Sequence, residues 1–353
     1  MSSTGLLGNR ARRRLAGSLV AAAVVAGGLV AVAGARPDTD LAPIGPERLL
    51  ASVIERARSG RPVAGTVSTA VDLGLPIAEA PGASGLGALL GPHDLRVWQA
   101  SSGLRVADVL PAGERTLVIG KDGAWWWDSE SFTARRLADG ESTRLSPVLE
   151  VAAGLIDPRA VSSLALGALE ETTRVRIGNP KMVAGRPAYV LELEPRTTET
   201  LVARIEISVD ADERVPMEVQ IFGRGYEEPS LIAGFDSISF KPIEPSIFLF
   251  TPPDGADVEM ERQNVSQMFD VFGGGEEANR APRLLGRGWT TVAALPMPAR
   301  EGPSSSEDDP ARSLFPFSSP LLSADVVESD RGSWLLVGAV PVDALRAQAD
   351  RLP

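Results

Sequence analysis

The sequence has no cysteine and only one histidine, His93, among its 353 residues. Without cysteine there can be no disulfide framework, thiolate metal site, cysteine nucleophile or lipid-modified cysteine. A single histidine excludes a metal cluster built from histidines and leaves little basis for a catalytic triad. His93 follows Gly91-Pro92 and precedes Asp94, so we interpret it as a surface residue of a loop.

Basic residues are also scarce, because 35 Lys and Arg stand against 46 Asp and Glu, for a formal charge of −11. An acidic chain is a poor match for the phosphate backbone, so we expect no nucleic-acid partner. The acids Asp210, Asp212 and Glu213 cluster in a predicted turn, but a calcium loop needs more ligands at fixed spacing. No catalytic constellation is present. We therefore predict no catalytic residue, no metal and no cofactor, and a binding protein rather than an enzyme.

Residues 1–35 are predicted to be a targeting segment. Four arginines, Arg10 and Arg12 to Arg14, precede an uninterrupted run of apolar and small residues from Leu15 to Ala35. Ala33-Gly34-Ala35 fits a small-x-small cleavage pattern, yet the run is long enough to span a bilayer. Two alternatives stay open: a signal peptide that is cleaved near Ala35, or an anchor. Either way we expect the rest of the chain to be exported to the extracytoplasmic face of the cell membrane.

The stretch from Gly185 to Val258 alternates apolar and polar residues between turn residues. Side chains that alternate in this way belong to strands with one buried face, and neighbouring strands of this kind predict an antiparallel meander. The predicted inward side chains are Tyr189, Leu191, Leu193, Ile205, Ile207, Val219 and Ile221. We expect these residues to line the apolar interior that binds a ligand.

Helices are predicted to cover the apolar face of this sheet. Pro46–Arg58 carries one apolar stripe, with a proline at the first helical position. Ser146–Ile156 and Asp157–Glu171 each begin with a capping side chain followed by proline. Gly82–Gly91, which is rich in Gly, Ala and Leu, is interpreted as a lid or loop beside the sheet.

Tryptophan is concentrated in one predicted hairpin. After a turn at Lys121-Asp122-Gly123, Trp125, Trp126 and Trp127 occupy both faces of one strand, with Trp125 and Trp127 on the same face. They either cap the core as large apolar side chains or line a pocket for an apolar ligand. We include Trp98, Trp125 and Trp127 among the candidate ligand-binding residues.

Changes in composition divide the chain into segments. Residues 36–45 are a polar spacer, 46–259 the main domain, 260–282 a connector that contains three consecutive glycines, and 283–353 a small C-terminal domain. A polar stretch within the last segment, 299–313, is predicted to be a flexible linker. The fold class is therefore α+β and mainly antiparallel β, with a small C-terminal β-rich tail domain.

The order of these elements resembles the LolA-type lipoprotein-carrier superfamily. The residues that carry the resemblance are Asp122, Gly123, Trp127 and Asp128 in the hairpin, Gly185, Arg186, Tyr189, Leu191, Leu193 and Pro195 in the centre, and Phe248, Phe250, Pro252, Pro253, Gly255 and Val258 at the end. A V-x-G-R-x-A-Y pattern and the exported tail are similar to the RseB/MucB branch. The resemblance implies an incomplete β-barrel, a curved and unclosed sheet covered by helices, whose interior accepts acyl chains.

Two functions of different classes follow from this resemblance. The first is a non-enzymatic binder of an acyl-chain ligand, a lipid or an acylated protein, in the cell envelope. The second is an envelope-stress regulator that binds an anti-sigma factor or another membrane protein. A structural wall protein is a more distant alternative. The paired tryptophans and Gly82–Gly91 favour the binder, whereas the tail domain and the possible anchor favour the regulator.

Overall fold

The computed structural model describes residues 41–71, 93–110, 112–138, 172–260, 283–297, 315–329 and 332–352. Leu41–Pro353 forms one compact unit. Several sequence predictions lie outside the described residues: the apolar run Leu15–Ala35, the segment Gly82–Gly91, the helices Ser146–Ile156 and Asp157–Glu171, and the linker 299–313. Among the helices that are described, none combines the length and apolar character needed to cross a bilayer.

Helix α1, Pro46–Arg58, has the bounds that the sequence predicted. Proline at the first helical position supplies a backbone angle suited to a helix, and the N–H of Leu49 donates to the Gly45 carbonyl at 3.0 Å. Leu49 and Val53 lie one turn apart on the buried side of the helix. Leu49 and Val53 thus pack against the sheet as expected, whereas Ile54 of the same predicted stripe is exposed.

Thirteen of the described strands form one sheet. They are β1 (Val63–Val71), β2 (His93–Ala100), β3 (Gly103–Leu110), β4 (Gly113–Gly120), β5 (Gly123–Asp128), β6 (Thr133–Ala138), β7 (Thr173–Ile177), β8 (Lys181–Val183), β9 (Arg186–Pro195), β10 (Val202–Asp210), β11 (Pro216–Gly223), β12 (Leu231–Ser239) and β13 (Asp257–Met260). Their spatial order is β13-β6-β5-β4-β3-β2-β1-β12-β11-β10-β9-β7, and β8 also pairs with β9. Over the described residues this sheet is unclosed and antiparallel except for the β6–β13 pair, which confirms the predicted fold class.

The register of the central strands produces continuous rows of apolar side chains. One row crosses five strands through Ile177, Leu191, Ile207, Val219 and Ala233. Residues that are paired across strands share a face of the sheet, so these side chains stack on one side. The alternation seen in the sequence therefore gave the correct register.

A short hairpin joins β8 to β9 and explains one sequence motif. Ala184 and Gly185 both have positive φ, 50° and 72°, between the paired residues Val183 and Arg186. Two consecutive left-handed residues form a tight hairpin turn whose twist matches that of the strands, and glycine adopts this conformation without steric cost. This turn places Arg186 at the start of β9.

The C-terminal residues form a second sheet of five described strands. These are β14 (Arg283–Leu285), β15 (Val292–Pro296), β16 (Phe317–Ser318), β17 (Ser323–Ser329) and β18 (Gly332–Gly338), in the order β14-β15-β18-β17-β16. Helix α2, Val342–Arg346, buries Leu345 in a cluster with Trp334 and Leu336. The described residues of this segment are thus mainly in β-strands, as the sequence predicted for the tail.

Candidate functional site

The seven predicted inward residues of the meander belong to one apolar cluster. Six of them are buried, and Ile221 packs partly buried against the others. Leu49 and Val53 of α1 belong to the same cluster, and the Tyr189 hydroxyl donates to the Ala42 carbonyl at 2.8 Å. The seven side chains therefore form a common surface against which α1 packs.

The C-terminal sheet contributes to this cluster as well. Leu321, Trp289 and Ala339 contact it. The Trp289 indole N–H donates to Thr173 Oγ1 at 2.8 Å, and Ala339 accepts hydrogen bonds from the Leu201 N–H and the Thr200 hydroxyl, each at 2.8 Å. The tail is thus packed directly onto the main sheet at β7 and at the start of β10.

The three predicted tryptophans do not join the seven meander residues. Ala233 pairs with the polar Thr69 of β1. Alternation along β1 and the register of β1 to β5 then carry the same face through Val97, Val106 and Leu117 to Trp126. Trp98, Trp125 and Trp127 are offset by one residue and lie on the opposite face. The single lining predicted from the sequence is therefore divided between two faces, and a role of either group in ligand binding stays a prediction.

A segment after β12 packs on Trp125 and Trp127 on that opposite face. The Phe250 ring lies 5.6 Å from the Trp125 ring and 6.0 Å from the Trp127 ring, measured between centroids. Phe248 lies over Gly120, where an added Cβ would be 2.1 Å from the Phe248 carbonyl oxygen. The chain then adds β13 in parallel beside β6. We call Pro245–Pro253 the strap.

Four apolar side chains on the Leu191 face of β3, β4 and β5 are only half buried. Leu104 pairs with Ile119, and Val106 and Trp126 both flank Leu117. We call Leu104, Val106, Ile119 and Trp126 the apolar quartet. Trp126 was not among the predicted site residues, although its place in the middle of three consecutive tryptophans puts it on the face opposite Trp125 and Trp127.

An ion pair stands at the end of the row that contains Trp126. Arg135 is the cross-strand partner of Trp126, and Glu259 of β13 pairs with Arg135. The Arg135 Nε atom donates to Glu259 Oε2 at 2.6 Å. These two residues were missed by the sequence analysis, because β13 was not predicted as a strand beside β6.

The acids of the β10–β11 turn bind an arginine and backbone amides. The buried Asp210 carboxylate accepts hydrogen bonds from Arg186 and from the N–H groups of Asp212 and Glu213. Burial acts to raise the pKa of Asp210, but these hydrogen bonds outweigh it and hold the pKa below its ordinary value. No group of three or more metal-ligating side chains occurs in the described ranges. His93 is the first residue of β2 rather than part of a loop.

Comparisons with known proteins found similarity to solved structures. No protein-family model matches this sequence, and no curated protein matches it. A crystal structure of MucB has 14% identity and a TM-score of 0.46, over 86% of this chain and 96% of that chain. A complex of Pseudomonas aeruginosa MucA and MucB has 15% identity and a TM-score of 0.44, over 85% and 95%. A LolA superfamily protein from Nitrosomonas europaea has 13% identity and a TM-score of 0.21, over 59% and 99%.

MucB and a LolA superfamily protein are thus among the structures to which this chain is similar, and the sequence resembles both of these groups. These identities and TM-scores are low, so no ligand, partner or residue role transfers from the LolA-like structures to this chain.

Proposed function

We propose that this chain is a non-enzymatic, exported protein that binds the acyl chain of a lipid or lipoprotein on the apolar face of its LolA-like sheet. The observation that supports the proposal is that the strand register puts the quartet on the same face of the sheet as the Leu191 cluster. This face extends from Leu191 in the core to Trp126, where the side chains of the quartet are half buried. Each methylene that moves from water onto such a surface contributes about 0.8 kcal/mol, so binding requires no catalytic group.

The proposed location is the extracytoplasmic face of the cell membrane. The arginines before Leu15–Ala35 would stay on the cytoplasmic side, and the apolar run would either anchor the chain or be cleaved near Ala35. Both arrangements expose the sheet to the compartment in which lipoproteins and lipids are handled.

Native mass spectrometry of the protein recovered from the cell envelope tests the acyl-chain proposal. We expect a mass excess that matches a species with one or more acyl chains. Val106→Glu puts a charge among the quartet and should remove that excess. Val109→Glu is the matched control, because Val109 lies on the same strand but on the opposite face and is 46% exposed. An unmodified mass together with no binding of an added fatty acid would contradict the proposal.

A second candidate function is an envelope-stress regulator that binds an anti-sigma factor or another membrane protein. One of the similar structures is a complex of MucA with MucB. The feature of this chain that favours the candidate is Leu284, which is 78% exposed on β14, an edge strand of the C-terminal sheet. An edge strand offers backbone groups for pairing with another chain. A membrane protein that co-purifies with wild-type protein, but not with a Leu284→Lys variant, would favour this function.

A further inference from the structure

The row of side chains that contains Trp126 has different chemistry at its two ends. It crosses the sheet from Gly65 through Val97, Val106, Leu117 and Trp126 to Arg135. One end therefore carries a cation, and the middle is entirely apolar. We infer that the ligand of this face is an anionic lipid whose carboxylate or phosphate head group lies at Arg135. The inference rests on the proposed function, because it assumes that an acyl chain lies along the row.

An aromatic ring closes the opposite end of the row. A Cβ at Gly65 would lie 2.8 Å from Cδ1 of Phe235, so the Phe235 ring occupies the space beside this glycine. Val97 is buried with Phe235 in a packed cluster, so the half-buried part of the row begins at Val106. Three strand spacings separate Val106 from Arg135, which corresponds to roughly 14 Å at about 4.8 Å per strand. This distance accommodates most of an extended acyl chain. The row therefore ends at an aromatic ring on one side and at a cation on the other. An amphiphile with an acyl chain and an anionic head group has the complementary chemistry.

The structure shows which chemical group Arg135 accepts. Its guanidinium holds the carboxylate of Glu259, and the two side chains are 50% and 48% exposed. An ion pair as exposed as this one contributes little to stability, so a ligand carboxylate or phosphate can replace Glu259 at small cost. Glu259 thus occupies the position of the head group in the ligand-free protein.

A neighbouring arginine on the same face is less suitable for the head group. Arg115 lies one row away, and its Nε atom donates to Asp128 Oδ2 at 3.1 Å. Burial acts to raise the pKa of Asp128, but hydrogen bonds from the Ser131 N–H, Arg115 and the Glu130 N–H lower it overall, which keeps the carboxylate charged beside the guanidinium. Because the chain as a whole carries −11, an anion needs a local cation to approach. Arg135, with its more exposed partner, is the residue that supplies it.

Two probes that share one chain but differ in charge test the inference. Full-length, delipidated protein is titrated with cis-parinaric acid and with its methyl ester, and binding is followed by polyene fluorescence. We expect the acid to bind about twofold to fivefold more tightly than the ester, as for a half-exposed ion pair, with the difference decreasing at high salt. Arg135→Gln should remove the preference and leave ester binding unchanged. Glu259→Gln should strengthen binding of the acid.

Arg136→Gln is the matched control, because Arg136 is the next residue on β6 and lies on the Trp125 face. This variant should retain the preference for the acid. Equal affinity of wild-type protein for the acid and the ester would overturn the head-group inference and leave the acyl-chain site intact. If neither probe binds, the proposed function itself fails. Unchanged ester binding by Arg135→Gln also shows that this variant is folded.

Discussion

The guanidinium of Arg186 donates two hydrogen bonds to the carboxylate of Asp210, whose side chain has no exposed surface. One bond runs from Nη2 to Oδ1 at 3.2 Å, and the other joins Nε to Oδ2. The pair links the β8–β9 hairpin to the β10–β11 turn. It gives a structural role to the arginine that follows glycine in the V-x-G-R-x-A-Y pattern.

Removing the arginine of this pair should destabilise the fold. Arg186→Gln leaves the buried Asp210 carboxylate without its cation, and such a loss costs about 3 kcal/mol. The measurement is the free energy of unfolding in urea. Arg174→Gln is the control, because Arg174 pairs with Glu194 on the surface, where an ion pair contributes up to about 1 kcal/mol. Equal effects of the two substitutions would contradict the importance of the buried pair.

The same pair predicts how stability depends on pH. The pKa of Asp210 is lowered in the folded state, because the bonds from Arg186, Glu213 and Asp212 outweigh burial. A carboxyl with a lowered folded pKa contributes its full stability above its unfolded pKa of about 3.9 and loses it as the pH falls through the folded pKa. We expect the free energy of unfolding to fall below about pH 4. The free energy of unfolding of the Arg186→Gln variant should decrease less steeply below this pH. An equally steep decrease would show that other titrating groups dominate.

The register of β10 gives a pair of adjacent substitutions with opposite outcomes. Ile205 is buried between Leu193 and Ile221, whereas Glu206 is half buried and bonds to Arg204 at 2.8 Å. Ile205→Glu places an unpaired charge in the core and should prevent folding or cost several kcal/mol, on the order of 4 kcal/mol. Glu206→Lys should change stability by no more than about 1 kcal/mol. Soluble yield and thermal unfolding of both variants check this, and comparable losses would contradict the register.

Local alternation was enough to predict the core of the meander but not the face on which the tryptophans lie. Leu191, Ile207 and Val219 follow one another through short connections, so the period of each strand and its turn fixes the shared face. The face of Trp125 relative to these residues depends on the pairing of β1 with β12, two strands that lie far apart in the sequence. A register shift of one residue in any of the strand pairs between β12 and β5 would move Trp125 to the other face. The sequence of one strand does not contain this information.

Long-range packing also determined the parts of the site that the sequence analysis missed. Glu259 and Phe250 lie in a proline-rich segment that reads as the end of a domain. In the structure this segment crosses β3 to β5 and places Glu259 beside Arg135. The contact joins residues more than a hundred positions apart, and β13 pairs in parallel without a local hairpin. Neither turn chemistry nor periodicity predicts such a contact.

The strap provides a test of the aromatic packing on the tryptophan face. Phe250 contacts both Trp125 and Trp127, and aromatic pairs of this kind contribute about 0.5–1.5 kcal/mol each beyond the burial of their area. Phe250→Ala should therefore destabilise the protein by about 2 kcal/mol and shift tryptophan fluorescence to longer wavelength, because the two indoles become more exposed to water. Leu249→Ala is the matched control, since Leu249 is adjacent in the chain and 42% exposed, and it should have little effect on either quantity.

An unchanged emission spectrum for Phe250→Ala would mean that the strap does not shield the tryptophans. If instead the shift occurs and acyl-chain binding is unaffected, the tryptophan face is a packed surface and ligand binding belongs to the apolar quartet on the other side of the sheet.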